Sequence, residues 1–146
     1  EVGSEKFKYK LSWLENIKTH IKNDLDKTKY YIILGDFNIA PGDDDVYDPD
    51  VWKDKILCSK EERSSLKKIL NLGFEDSFRL FPQKKELYSW WDYRTGAFRR
   101  NRGLRIDLIL SNEKLSKKCI KSYIDIEPRK NERPSDHAPV VSVFDI

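Results

Sequence analysis

The stretch Tyr30-Tyr31-Ile32-Ile33-Leu34-Gly35-Asp36-Phe37-Asn38 decides how the rest of the chain is interpreted. Its first five residues form an uninterrupted apolar run that ends at a glycine, a pattern typical of a β-strand buried on both faces. Asp36 and Asn38 follow at once, so they are expected at the end of that strand. Because they lie two positions apart, their side chains can point the same way.

Helices are predicted on both sides of this strand. Apolar residues recur every three or four positions over 6–27, which indicates an amphipathic helix. A second helix is predicted over 60–72, because Ser59 and Glu62 have capping-box spacing and Gly73 fits the position that ends a helix.

Four further β-type runs follow, separated by Gly, Asn, Pro and Ser: 88–93, 105–110, 119–126 and 138–144. With the first strand they predict an α/β or α+β chain of four or five strands.

The composition fits one domain that packs without disulfides. The chain has 146 residues, of which 12% are aromatic. No apolar run reaches the roughly 18 to 20 residues of a membrane span, so we expect a soluble, cytoplasmic protein with no membrane partner. Cys58 and Cys119 lack metal-ligand spacing and are interpreted as buried, reduced thiols.

The first residue predicts that the chain is part of a longer protein. There is no methionine, and Glu1 is a residue behind which an initiator methionine is not normally removed. We therefore expect translation to begin upstream. A piece of this kind can carry only part of a functional site.

The charge is unevenly distributed. Residues 1–76 carry 13 basic and 16 acidic side chains, a balance of −3, and residues 77–146 carry 15 and 9, a balance of +6. A basic half favours a polyanionic partner, because Lys and Arg near phosphates supply most nonspecific nucleic-acid affinity. A solvated charged surface is the alternative from charge alone.

Asp36 and Asn38 could hold a cation or position a water. Carboxylate and amide oxygens suit a hard cation such as Mg²⁺, and such a pair can also place a water for attack on phosphorus. The alternative is an Asx turn that ends the strand.

Asp107 and His137 could form an acid/base pair. Strand alternation puts Ile106 and Leu108 on one face and Asp107 on the other, where a carboxylate in an apolar setting needs a partner. His137, beside Asp136, titrates near neutrality and is a suitable partner. A structural histidine, or a salt bridge from Asp107 to an arginine, is the alternative.

The segment 89–104 alternates aromatic and guanidinium groups. Aromatic faces can stack on bases or sugars, and Arg94 and Arg102 could contact phosphates, as on a nucleic-acid surface. The alternative is that one of Trp90 and Trp91 is core and the arginines are solvated.

Four strings occur in an order that is specific in combination: GDFN at 35–38, SWWDYR at 89–94, NRGLRIDLIL at 101–110 and SDHAPV at 135–140. Together they resemble the exonuclease III branch of the endonuclease/exonuclease/phosphatase family. Relatives that act on sphingomyelin, inositol phosphates or messenger-RNA tails share only the GDFN-like and SDH-like elements, so they fit less well.

The resemblance implies an α/β (α+β) fold. Residues 1–146 would form half of the four-layered sandwich of the DNase I-like fold, with one mixed sheet and helices on one face. They would be the carboxy-terminal part of a single domain. The family's amino-terminal half supplies a metal-binding glutamate, another asparagine and a tyrosine, and no segment of this chain corresponds to them.

The resemblance also implies roles for individual residues. Asp36 would orient or deprotonate the attacking water, and Asn38 would help to hold the phosphate and metal. His137 would contact the scissile phosphate with Asp107 as its partner. Asp136 would lie at the metal or support the site. The metal would be Mg²⁺ or Mn²⁺, with Asp36, Asn38 and Asp136 as its ligands.

Three apolar residues match the family's substrate pocket. Trp90, Leu104 and Ile106 would wall a pocket for a flipped-out abasic sugar. A tight apolar pocket admits a baseless deoxyribose and excludes a nucleotide that keeps its base.

The resemblance predicts a DNA phosphodiester hydrolase of base-excision repair, both a 3′-5′ exodeoxyribonuclease and an abasic-site endonuclease. Its partner would be duplex DNA with abasic sites or 3′ ends, and the fragment alone would be weak or inactive. The alternatives are another phosphoesterase of the superfamily, a DNA-binding module that does not cleave, or an assembly piece. The assembly piece would bury its uncovered face against an amino-terminal half or a second copy. The general base, Asp36 or His137, stays open.

Overall fold

The computed structural model describes residues 1–146 and begins with a long helix, α1 (Glu5–Asp24). Ser4 caps it, because its Oγ accepts a hydrogen bond from the backbone N–H of Phe7 at 3.2 Å. The predicted helix over 6–27 is confirmed but ends earlier. Asp26 accepts hydrogen bonds from Thr28, and this turn replaces the last predicted turn of helix.

Two antiparallel sheets follow instead of the single mixed sheet that was expected. Strands β1 (Ile32–Asp36), β2 (Phe74–Asp76) and β3 (Asp107–Asn112) form one sheet in the order β1-β3-β2. Strands β4 (Cys119–Ile124) and β5 (Val140–Phe144) form the other.

Trp90 lies between the two sheets at one end. It pairs with Leu104 on one side and with His137 on the other, as isolated bridges. The predicted strand over 88–93 is therefore wrong, because this segment only inserts between the chain that leads into β3 and the chain that leads into β5.

The second predicted helix is confirmed as α3 (Lys60–Leu70). Ser59 and Glu62 form the predicted capping box, with each residue bonded to the backbone N–H of the other. Two one-turn helices, α2 (Pro49–Trp52) and α4 (Glu113–Ser116), were not predicted. No helix has both the length and the apolar character that a bilayer crossing requires.

The main core lies between the first sheet and the helices α1 and α3. Leu14 and Ile21 of α1 and Ile69 of α3 pack against Leu108 and Leu110 of β3. This confirms the predicted alternation in β3. Asp107 and Ile109 point to the opposite face of the sheet.

That opposite face has no covering layer in this chain. Ile32 and Leu34 of β1 lie on it and are 41% and 63% exposed. The expectation that this strand is buried on both faces is therefore wrong for these residues. Their apolar character fits a covered strand, but both helices pack on the other side.

The two cysteines differ. Cys58 is buried and free, as predicted, and burial raises the pKa of its thiol to about 11. Cys119 is also free, but it is only partly buried because β4 is exposed along much of its length.

Candidate active site

Asp36 and Asp107 face each other across two neighbouring strands. Asp36 is the last residue of β1, Asp107 is the first residue of β3, and the antiparallel register pairs them directly. Cross-strand partners project from the same face of a sheet, and like charges in this arrangement repel. A proton or a cation beside the two carboxylates would relieve that repulsion.

His137 lies against both carboxylates. Its Nδ1 is 2.8 Å from Asp107 Oδ2, and its Nε2 is 4.0 Å from Asp36 Oδ2. One ligand atom from each of the three residues lies within 4.8 Å of the others. The structure thus brings together three of the predicted site residues, at a groove of about 420 Å³ that continues onto the uncovered sheet face.

The turn before β5 presents His137 to the strands. The backbone N–H of His137 donates to Ser135 Oγ at 3.1 Å. The next backbone N–H, that of Ala138, donates to Ser89 O at 2.7 Å. Pro139 has no N–H to donate, and β5 begins only at Val140.

The pKa of the Asp107 carboxyl lies above its ordinary value. Burial raises the pKa of its carboxyl, hydrogen bonds from His137 and Ser89 offset part of that rise, and the charge of Asp36 adds to it. The imidazole Nδ1 is engaged by Asp107, so its Nε2 is the nitrogen available on the side of Asp36. That nitrogen accepts a proton in the neutral ring and donates one in the charged ring.

Asn38 sits in a tight turn directly after β1, with a φ of 51°. Its backbone N–H and its Nδ2 both donate to the Asp36 carboxylate, at 2.8 and 2.9 Å. The Asx turn that was the alternative interpretation is therefore present. It is compatible with ligand binding, because the Asn38 amide oxygen has no protein donor and Asp36 is exposed.

Lys10 of α1 holds this turn, a role that no pattern along the chain predicted. Its Nζ donates to Asn38 O at 2.6 Å and forms a salt bridge with the buried Glu62. Glu62 also caps α3. One lysine therefore ties α1, α3 and the Asp36 turn together, and only a distant contact in the fold reveals it.

Asp136 is placed differently from the expected ligand. Its Oδ2 accepts a hydrogen bond from Trp90 Nε1 at 3.0 Å, and it is not part of the group formed by Asp36, Asp107 and His137. In this arrangement Asp136 supports the site through Trp90.

The apolar residues predicted to wall a pocket differ in exposure. Trp90 is half-buried, whereas Leu104 and Ile106 are 0% and 1% exposed. The last two therefore offer no surface to a ligand in this structure and instead support Trp90 from within the core. Trp91 is the core member of the tryptophan pair, edge-on to Phe98.

The arginines of the aromatic segment are mostly on the surface. Arg94 is exposed and paired with Asp92 at 2.7 Å, and Arg102 is exposed. Arg105, in contrast, is fully buried between Asp45 and Asp76. The structure thus leaves Arg94 and Arg102 accessible to a phosphate and makes Arg105 part of the interior.

Ser89 was not singled out in the sequence, yet it is fully buried at the centre of the site. Its Oγ accepts hydrogen bonds from the backbone N–H groups of Ile106 and Asp107, at 3.0 and 3.1 Å. It fixes the start of β3 and so the Asp107 side chain. Its position directly before the tryptophan pair was the only signal available.

The chain is similar to several known proteins in sequence and in fold. The sequence profile of the Endonuclease/Exonuclease/phosphatase family matches residues 4–137. Exodeoxyribonuclease III of Haemophilus influenzae is 38% identical over 146 residues, covering 95% of this chain and 55% of that protein.

Two solved structures superpose closely. An AP endonuclease from Archaeoglobus fulgidus has a TM-score of 0.94 and 40% identity, covering 100% of this chain and 57% of its own. A variant of the Neisseria 3′ phosphatase NExo, bound to a product DNA hairpin, has a TM-score of 0.94 and 41% identity, covering 99% and 56%. The predicted DNase I-like α/β fold is confirmed, and the chain spans a little over half the length of these relatives.

Proposed function

This chain belongs to the endonuclease/exonuclease/phosphatase family, and we propose that the whole protein is a metal-dependent nuclease that hydrolyses phosphodiester bonds in duplex DNA. Its reactions would be incision 5′ to abasic sites and removal of nucleotides from 3′ ends. The observation that carries the proposal is the hydrogen-bonded His137–Asp107 pair with Asp36 directly opposite. The exodeoxyribonuclease III and AP endonuclease relatives support the choice of substrate.

Asp36 would handle the attacking water. Its carboxylate is exposed at the groove and is held by two hydrogen bonds from Asn38. A carboxylate fixed in this way can orient a water and accept its proton as the oxygen attacks phosphorus.

His137 would stabilise the charge that develops on the phosphoryl oxygens. Asp107 holds its Nδ1, and the protonated ring can donate a hydrogen bond from Nε2. Donors fixed in place before the reaction are worth several kcal/mol of transition-state stabilisation, roughly 3 to 4 for a single donor. In this assignment Asp107 is the residue that orients the imidazole.

A divalent cation, Mg²⁺ or Mn²⁺, fits this group of residues. The two carboxylates that face each other on β1 and β3 favour a cation, and the exposed oxygens of Asp36 and Asn38 would hold it. When bound, the metal would polarise the scissile phosphate. Further ligands would come from outside this chain, because Asp136 is engaged by Trp90.

Selectivity for an abasic site would begin at Trp90. Trp90 is half-buried and pairs with His137 as an isolated bridge, so a sugar stacked on its ring would place the adjacent phosphate near the imidazole. Arg94 and Arg102 are exposed in the following segment and would contact the DNA backbone.

The uncovered sheet face would bind the rest of the same domain. Ile32 and Leu34 share this face with Asp36 and Asp107, so a layer packed on it would also border the site. The relatives are nearly twice as long as this chain, which supports an amino-terminal half as the occupant. Self-association of the fragment is the alternative in its absence.

The test uses an end-labelled duplex with one abasic-site analogue, incubated with Mg²⁺ or with EDTA. We expect metal-dependent incision 5′ to the analogue by the full-length protein, and little or none by residues 1–146 alone. The matched variants Asp36→Asn and His137→Gln should each lower the rate of cutting about 10²- to 10³-fold while DNA binding persists.

Two outcomes would favour other functions. Salt-sensitive DNA binding by the full-length protein without metal-dependent cutting would favour the DNA-binding module. Hydrolysis of a non-nucleic-acid phosphodiester in preference to DNA would favour another branch of the family.

A further inference from the structure

Arg129 is a buried arginine enclosed by aromatic rings. It lies in the short 3₁₀ segment Glu127–Lys130 before the His137 turn and is 6% exposed. Its guanidinium carbon is 4.6 Å from the ring centroid of Phe98, 5.7 Å from that of Trp91 and 5.9 Å from that of Tyr93. These three rings, of which Tyr93 is 64% exposed, lie beside the guanidinium and are called the aromatic cage below.

The cage takes the place of a counter-ion. Arg129 forms no salt bridge, and its Nε is buried without a hydrogen-bond partner. A buried charge without a carboxylate is costly, and ring faces offset only part of that cost, about 2 kcal/mol for a desolvated contact. Stability alone does not account for an arginine at position 129, because an apolar side chain could fill the same space without the cost of burying a charge.

The single hydrogen bond of the Arg129 guanidinium points to a role in holding the turn before His137. Nη1 donates to the backbone oxygen of Ser135, in the turn that carries His137. Two cage residues also hold the same turn, because Tyr93 Oη donates to Pro134 O at 2.8 Å and the backbone N–H of Trp91 donates to Asp136 O at 3.0 Å.

Three consecutive backbone oxygens of the turn, at residues 134, 135 and 136, are thus each held by the cage or by Arg129. The next residue is His137. Its ring must reach Asp107 on β3 while its Nε2 stays on the side of Asp36. A turn held at three successive carbonyls has little freedom to rotate that ring away.

We propose that Arg129 and its aromatic cage are a positioning device for His137, which fix the 134–136 turn and so the direction of the imidazole. The catalytic consequence rests on the proposed nuclease function, whereas the structural one does not. The aromatic residues Trp91 and Tyr93 of the SWWDYR string then serve the histidine turn rather than a DNA surface.

The experiment compares Arg129→Met, Arg129→Lys and the control Lys130→Met in the full-length protein. Lys130 is the adjacent residue, exposed and paired only with Glu127, so its replacement removes the same charge from the same segment. Activity is measured as kcat and KM on the abasic duplex. The His137 Nδ1–H proton signal, assigned with His137→Gln, is followed by NMR at one fixed pH.

We expect Arg129→Met to lower kcat about 10- to 100-fold with little change in KM, because misplacement of a reacting group by about 1 Å has effects of this size. The Nδ1–H signal should shift or be lost through exchange. Arg129→Lys should lie between, since it keeps the charge but not the planar fork. Lys130→Met should match the parent in both measurements.

A purely structural role would overturn the proposal. In that case Arg129→Met would lower the melting temperature, while the folded fraction would keep both the parent Nδ1–H signal and the parent kcat. If the parent protein shows no nuclease activity, the proposed function fails, and the NMR signal alone decides whether Arg129 positions His137.

Discussion

Two pairs of carboxylates flank the start of β3 and are treated in opposite ways. Asp45 and Asp76 both bind the fully buried Arg105, at 2.7 and 2.6 Å. Asp36 and Asp107 face each other with a single imidazole between them and the groove. The first pair is neutralised by the protein itself. The second is left short of positive charge, which is the condition that favours a cation or a proton transfer.

The difference is also visible in the pKa shifts. Burial lowers the pKa of Arg105, but Asp76 and Asp45 outweigh that effect and raise it, so this arginine stays charged. Burial raises the pKa of Asp107, and His137 only partly reverses the rise. We infer that Arg105 serves stability, whereas Asp107 carries a stability penalty for the sake of the site.

Removing the Arg105 side chain should have the largest effect on the stability of the fold. Arg105→Ala leaves two carboxylates in the interior and should lower the free energy of unfolding by about 3 to 5 kcal/mol, measured by urea denaturation. The control is Arg79→Ala, because Arg79 binds the same Asp45 from the surface. It should cost less than about 1 kcal/mol. Equal losses of unfolding free energy in the two variants would show that the buried arginine stabilises the fold no more than the surface one.

Asp36→Asn should lower activity strongly and leave stability almost unchanged. We expect kcat on the abasic duplex to fall about 10²- to 10³-fold, equivalent to roughly 3 to 4 kcal/mol. The free energy of unfolding should change by less than about 0.5 kcal/mol, because the side chain is exposed. Asp43→Asn removes an exposed carboxylate from a surface ion pair and is the control. A parent-like kcat in Asp36→Asn would contradict the site.

A divalent cation should stabilise the folded protein by binding at Asp36 and Asp107, and not at Asp45 and Asp76. At a Mg²⁺ concentration ten times the dissociation constant, linkage predicts a gain of about 1.4 kcal/mol in unfolding free energy, removed by EDTA. We expect Asp36→Asn to lose this gain and Arg79→Ala to keep it. Equal stabilisation of the parent and Asp36→Asn would place the cation elsewhere.

Asp107→Asn should give the smallest change in the free energy of unfolding, and that change should depend on pH. A raised pKa in the folded state means that the folded protein binds the proton more tightly than the unfolded chain. The stabilising contribution of Asp107 is therefore present at low pH and is lost as pH rises through its folded pKa. We expect the variant to be more stable than the parent at pH 7, by about 0.5 kcal/mol.

That difference should shrink as the pH falls through the raised folded pKa of Asp107, because the parent carboxyl becomes neutral there. Thermal melts over pH 3 to 7 measure it. A variant that is less stable than the parent at neutral pH would mean that the contact with His137 outweighs burial.

The local signals in the sequence located most of the site. Asp36 and Asn38 ended an apolar run, and Asp107 interrupted an apolar alternation, so each stood out against its neighbours. These patterns reflect strand geometry, which repeats every two residues and can be read along the chain.

What the sequence did not show depends on contacts between distant segments. Lys10, Ser89 and Arg129 look like ordinary helix, turn and loop residues until the fold brings Asn38, Asp107 and Ser135 beside them. The strand predicted over 88–93 failed for the same reason, because its apolar residues serve a bridge between two sheets. The exposed face of β1 could not be foreseen either, since apolarity does not say which layer covers it.

The pairing of β1 with β3 also bears on how the protein is made. Asp36 meets its partners only after the chain has been synthesised through the turn at His137 and β1 has paired with a distant strand. Such long-range pairing slows folding, because the chain loses the entropy of loop closure before the stabilising contacts between the strands form. We expect the proposed hydrolytic activity to emerge in the last phase of refolding, after the helices have formed. A nascent or stalled chain would then leave DNA uncut.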